Sequence, residues 1–203
     1  MKNIIILGRG DSLKKLTEFS EDIDTVILVN EFWDVPYCPK SYYKDNLVHN
    51  FLKDKKIILI CSICCDLSKI DLFLNKYNVI AKYKTQFSKK IRIGTNNICK
   101  LLPDEIIEPY IYLEKNFGYT GSMGCAILYA RIILKINNIF ILGLDFYEKD
   151  YYLTNNYNYQ CEINKSELIK KDWIKLFGYY KNTNFNIYTL ANFRCELLNV
   201  NIL

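Results

Sequence analysis

The sequence predicts one doubly wound α/β domain with a mostly parallel sheet, spanning residues 1–203. Three observations lead there. Apolar, β-branched runs of strand length alternate with segments whose apolar residues recur every three or four positions, the period of an amphipathic helix. The runs are apolar almost throughout, as in strands buried on both faces beneath helices. Finally, 203 residues, 50% hydrophobic and 24% charged, suit one ordinary globular domain.

The elements follow in order. A strand over 3–8 runs into the turn Gly8-Arg9-Gly10-Asp11-Ser12, and a helix over 12–19 follows, with Asp11 or Ser12 as its cap. A strand over 25–30, a weaker one over 47–50 and a third strong strand over 56–63 come next. A helix over 66–77 separates that strand from weaker candidates at 79–83 and 91–93. Helices over 104–116 and 122–136 flank the small-residue turn Gly118-Tyr119-Thr120-Gly121-Ser122-Met123-Gly124. A strand over 138–144 leads to Asp145. The polar, tyrosine-rich stretch 146–163 is too long for an ordinary connection and reads as a lid that orders over a ligand. A helix over 165–180 and a weak strand over 185–190 end the pattern.

Composition excludes several classes. Lys and Arg number 27 against 22 Asp and Glu, a net +5 spread along the chain, which gives no support to a nucleic-acid stripe. No apolar run has the length of a membrane span or a signal peptide. The eight cysteines then read as reduced thiols of a cytoplasmic protein. Cys61 and Cys64 form a C-x-x-C with no second ligand pair, which argues against zinc. The 17 tyrosines match a general bias toward Ile, Asn, Lys and Tyr, and their number is no functional signal. Asp22-Ile23-Asp24 has the D-x-D spacing of metal-dependent sugar transferases, but it precedes its strand and reads as a loop with an apolar plug.

The chemistry is expected at two glycine-rich turns. Gly8-x-Gly10 is half of the dinucleotide fingerprint, with Leu13 where the third glycine belongs, which argues against NAD or FAD. Both turns open helices whose N-terminal N–H groups can receive an anion, so a phosphate-bearing ligand is expected at the carboxyl edge of the sheet. Asp145 is placed to bind its ribose or base. A capped turn with no ligand stays open as the alternative for the first turn.

Together, the stretch from Ile5 to Leu16, Val29-Asn30-Glu31-Phe32, His49-Asn50 and the stretch from Tyr119 to Tyr147 resemble the bacterial sialyltransferases of glycosyltransferase family 42. The block from Thr120 to Tyr147 equally resembles motility accessory factors and the MptE-like diphosphokinase group. The resemblance implies a Rossmann-like, GT-A-variant fold and an inverting, metal-independent transferase without a cofactor. It would move sialic acid or a related nonulosonate from a CMP donor to a glycan or glycolipid. It implies donor binding by Gly8, Arg9, Gly10, Ser12, Asn30, Asn50, Thr120, Gly121, Ser122, Gly124, Asp145 and Phe146. Tyr147 and Tyr151 or Tyr152 would stabilise the departing phosphate. The family's catalytic histidine has no counterpart; Glu162 stands at its position as the candidate base, and His49, the chain's single histidine, is the next catalytic candidate. An arginine the family carries before the small-residue turn is replaced by Gly118 or Tyr119. No nucleic-acid partner is implied; peripheral contact with the inner face of a membrane and a homo-oligomer are compatible with it. A non-catalytic nucleotide-binding scaffold and an MptE-like pterin diphosphokinase, which needs Mg²⁺ held by Asp11 and Asp145, are the alternatives.

Overall fold

The computed structural model describes residues 3–34, 42–62, 65–85, 100–118, 120–148 and 165–203. Its strands are β1 (Asn3–Leu7), β2 (Thr25–Val29), β3 (Lys56–Cys61), β4 (Val79–Lys84), β5 (Lys100–Leu101), β6 (Asn138–Leu142), β7 (Asn184–Tyr188) and β8 (Val200–Ile202). The helices are α1 (Asn46–Leu52), α2 (Ile70–Lys76), α3 (Asp104–Phe117), α4 (Gly121–Leu128) and α5 (Ser166–Tyr179). One sheet runs in the order β5-β4-β3-β2-β1-β6-β7-β8. Every described strand pairing is parallel.

Side chains alternate across this sheet into two cores. Ile4, Ile6, Ile58, Ile60, Ile139 and Ile141 pack with residues of α3, α4 and α5, among them Leu113, Ile127 and Trp173. Ile5, Leu7, Ile57, Leu59, Phe140 and Leu142 face the other way, against Leu13, Val48, Leu52 and Phe73. Burial on both faces is why these strands read as unbroken apolar runs. The chain builds outward from β1 to β5, then returns through α3 and α4 to place β6 on the other side of β1. That reversal makes a crevice at the carboxyl ends of β1 and β6, where open α/β sheets bind ligands.

Several elements differ from expectation. Residues 47–50 lie in helix α1 instead of a strand, because Asp45 Oδ1 accepts hydrogen bonds from Leu47 N at 3.0 Å and Val48 N at 3.1 Å and caps the turn. The first helix is a 3-10 helix, Asp11–Thr17. Its N-cap is Gly10, with no side-chain cap from Asp11 or Ser12. The helix expected over 122–136 ends early, in a π turn over Tyr129–Ile133. Strands β5 and β8 were not foreseen. The candidate strand 91–93 lies outside the described residues, as does the expected lid apart from 146–148.

An asparagine relay spans four strands. Asn201 Nδ2 donates to Asn186, Asn186 to Asn138 and Asn138 to Asn3, at 2.9, 3.0 and 2.6 Å. Asn3 Nδ2 then donates to Glu21 at 3.3 Å.

Candidate functional site

Strands β1 and β6 end in glycines because their backbones touch. Gly8 N donates to Leu142 O at 2.8 Å, and Gly10 N to Gly143 O at 3.1 Å. A Cβ on Gly8 would lie 2.5 Å from Gly143 O, and one on Gly143, at φ +77°, would run into the Gly8 carbonyl. Here the glycines admit another strand's backbone, as well as standing on the cavity wall described below.

Asp145 locks this junction. Its Oδ2 accepts from Ser12 N at 2.8 Å, and its Oδ1 accepts from Thr189 Oγ1 and Leu190 N, both at 3.0 Å. Ser12 Oγ accepts from Gly143 N at 2.9 Å. The buried Asp145 carboxylate therefore ties the turn after β1 to the ends of β6 and β7. It also occupies the Ser12 N–H, one of the groups expected to face a ligand anion. Asp11, at the surface, pairs with Lys14 at 2.8 Å.

A cavity of about 560 Å³ opens at this edge, between Gly8 to Gly10, Asn30, the start of α4 and the segment from Gly143 to Tyr147. Glu114, Gly118 and Trp173 complete the wall. The start of α4 is the part with unmet bonding capacity. In helix geometry the first N–H groups, here those of Gly121, Ser122 and Met123, have no intrahelical acceptor. Beside them Thr120, 3% exposed, holds its Oγ1 with no hydrogen-bond partner. Gly124 stands behind: a Cβ there would lie 2.7 Å from Thr120 Oγ1. A helix N-terminus of this kind attracts anions through both its N–H groups and its dipole.

The remaining walls are braced. Arg9 forms a buried ion pair with Glu31 at 2.9 Å, and Glu31 Oε1 accepts from Asp66 N at 3.1 Å. Asn30, in the left-handed region at φ +68°, accepts from Ser62 N through Oδ1 at 3.0 Å. Phe146 and Tyr147 are also left-handed, at φ +50° and +60°, and Glu148 N closes the turn on Asp145 O at 2.9 Å. Turns with two left-handed central residues usually take Asn and Gly there. Phe146 is held by stacking on Phe193, with centroids 4.3 Å apart, and Glu148 is gripped by Lys170 and by Asn192 N. Tyr147 stands on the cavity wall.

Glu114 was not foreseen. It sits half-buried in the last turn of α3, and Tyr110 Oη donates to its Oε1 at 2.9 Å. Burial, reinforced by Cys125 and Glu114, pushes the Tyr110 phenol far above its ordinary pKa, which keeps it a donor. Burial likewise pushes the Cys125 thiol up. The sequence signal was a carboxylate at a helix C-terminus, where the dipole disfavours negative charge.

Other expected residues lie elsewhere. His49 and Asn50 sit on α1, which leads into the amino end of β3. His49 Nδ1 meets Tyr77 Oη at 2.9 Å, just before β4 begins, so His49 belongs to the opposite edge of the sheet from the cavity. Asn50 is exposed and does not line the cavity. Glu162, Tyr151 and Tyr152 lie outside the described residues. Ile23 is buried in the second core, while Asp24 pairs with Lys56 at 3.0 Å. Among the described residues no group of three His, Cys, Asp or Glu could hold a metal, and no helix is long and apolar enough to cross a membrane.

No protein-family model and no curated protein matches the chain. Solved structures similar to it include the sialyltransferase CST-II in complex with a trisaccharide acceptor and CMP. That similarity has 18% identity and a TM-score of 0.47, covering 98% of this chain and 87% of the other. CstII from Campylobacter jejuni in complex with the substrate analogue CMP-3FNeuAc shows 16% identity and a TM-score of 0.45, with the same coverage.

Proposed function

We propose that the cavity binds a CMP-linked sugar by its phosphate and that the chain is a sialyltransferase-like, inverting glycosyltransferase. It would move sialic acid or a related nonulosonate to a hydroxyl of a glycan or glycolipid. The observation that carries this reading is the start of α4. Residues whose N–H groups have no intrahelical acceptor in helix geometry stand with the buried, unpartnered Thr120 hydroxyl on the wall of a cavity at the β1/β6 crevice. Departure of CMP places charge on a phosphate oxygen, and preorganised N–H and O–H donors stabilise developing charge without a metal.

The roles follow from what each group has left to offer. Thr120, Gly121 and Ser122 take the phosphate. Asn30, whose Oδ1 is engaged by Ser62, presents Nδ2 as its donor to the nucleotide. Tyr147 stands on the cavity wall in a turn fixed at both ends, the position from which it would stabilise the departing phosphate. Gly8 and Gly10 shape the wall. Asp145 and Ser12 hold the strand ends beneath the donor, and Phe146 anchors the turn from below. The pterin-diphosphokinase reading draws on Asp11 and Asp145 for Mg²⁺; one is paired at the surface with Lys14, the other engaged by three donors.

A thermal-shift panel of CMP, CDP, UDP, ATP and NAD, each with and without Mg²⁺, tests the reading. CMP without metal is expected to stabilise the protein, by about 2.7 kcal/mol at a hundredfold excess over its Kd. Stabilisation by ATP with Mg²⁺ and none by CMP would replace it with the kinase reading. Transfer from CMP-sialic acid to a glycan then separates an enzyme from a non-catalytic scaffold.

A further inference from the structure

We infer that Glu114 is the catalytic base that takes the proton from the acceptor hydroxyl, an assignment that rests on the transferase reading of the same cavity. Among the described residues the cavity wall offers few groups that could do this. Asp145 has both oxygens engaged, by Ser12 N, Thr189 Oγ1 and Leu190 N, and serves the strand junction. Arg9 is permanently cationic and paired with Glu31. Tyr147 is a phenol, a weak base unless ionised. His49, the chain's single histidine, is at the far edge of the sheet.

Glu114 has the required arrangement. Glu114 lines the cavity, and its Oε1 is held by the Tyr110 hydroxyl, whose own ionisation burial suppresses. Oε2 carries no hydrogen bond among the described residues. This is a base whose orientation is set by a third group, with one oxygen left for the substrate. Glu114 and the start of α4 belong to consecutive helices joined across Gly118, so both stand on one wall. In the reaction the acceptor oxygen bonds to the donor's anomeric carbon, and the bond from that carbon to the phosphate oxygen breaks. The electron pair leaves with CMP, and the acceptor proton ends on Glu114 Oε2.

The test is steady-state transfer from CMP-sialic acid to a glycan acceptor by the full chain, beside CMP thermal shifts. Glu114→Gln is expected to lose kcat by about 10²-fold or more, with donor KM and the CMP shift unchanged. Formate added to Glu114→Ala is expected to restore turnover, which a structural role would not allow. Tyr110→Phe is expected to lower kcat less, again at unchanged KM. Full activity in Glu114→Gln overturns the assignment and leaves the transferase reading standing; a loss in Glu162→Gln alone would move the base there. Loss of the CMP shift in Glu114→Gln would also overturn it, making Glu114 a donor-binding group. A wild-type protein that neither binds CMP nor transfers from any CMP-sugar overturns the transferase reading itself, and this assignment with it.

Discussion

In Asp145→Asn one carboxylate oxygen becomes an NH₂ group, which faces a backbone N–H in either orientation, Ser12 on one side and Leu190 on the other. Oδ2 faces the Ser12 N–H, while Oδ1 faces the Leu190 N–H and the Thr189 hydroxyl. Either orientation breaks one bond to a backbone N–H, because the Thr189 hydroxyl can turn its proton to Leu144 O and accept from the NH₂. It still leaves two donors facing one another, with a buried N–H unsatisfied at about 1–3 kcal/mol. The two bonds retained lose their charge assistance, which roughly halves each. The total is about 2–4 kcal/mol, a fall of roughly 4–16 °C in Tm for a chain of this size. Urea unfolding at neutral pH, followed by circular dichroism, measures it. The competing view makes Asp145 a ligand-binding acid with little structural duty. Under that view Asp145→Asn keeps its stability and loses nucleotide binding, and a change below about 1 kcal/mol would refute the junction argument.

Thr120→Val removes an unpartnered buried hydroxyl at constant shape, so the unliganded protein is expected to gain on the order of 1 kcal/mol while the CMP shift collapses. Both are read in one melting series. For Lys170, burial opposes its charge, but hydrogen bonds to Glu148 and Glu167 outweigh that and raise its pKa above 10.5. A raised folded-state pKa means the stability from this cluster is complete below the unfolded pKa and fades as pH climbs past about 10.5. The difference in unfolding free energy between wild type and Lys170→Met should therefore shrink through that range and stay constant below it. Asn138→Ala cuts the relay in two places, losing the bonds to Asn3 and Asn186. It is expected to destabilise by about 1–3 kcal/mol in the same unfolding assay.

The central strands were legible because nothing else explains four short apolar runs without alternation. β5 and β8, two and three residues long at the sheet edges, are below the length at which any periodicity shows. Residues 47–50 misled because Leu47-Val48-His49-Asn50 is too short to separate a strand from a helix. The informative residues lay just outside, in the Asp45 cap and in the four-residue step from Val48 to Leu52. In Asp11–Thr17 the buried pair Leu13 and Leu16 is spaced by three, which a 3-10 helix stacks in register and an α-helix does not.

The cavity beside the two glycine-rich turns was legible in position and misleading in cause. A glycine admits a phosphate or another strand's backbone with the same sequence pattern, and at Gly8 and Gly143 backbone contact already requires it. The second turn differs because its unmet capacity survives folding. Thr120 stays unpartnered after the chain has used its own carboxylate to fill the Ser12 position. Left-handed Phe146 and Tyr147 could not be anticipated, since aromatic residues at both centres of such a turn oppose every local preference at about 1–3 kcal/mol each. That cost is met by contacts distant in sequence: Phe193 under Phe146, and Lys170 and Asn192 on Glu148. The fold thus spends packing from α5 and from the loop after β7 to hold Tyr147 on the cavity wall, facing the same space as the unfilled start of α4. Two independent devices, one an unmet hydrogen bond and the other an enforced strain, converge on one cavity, which the packing of the core by itself does not require.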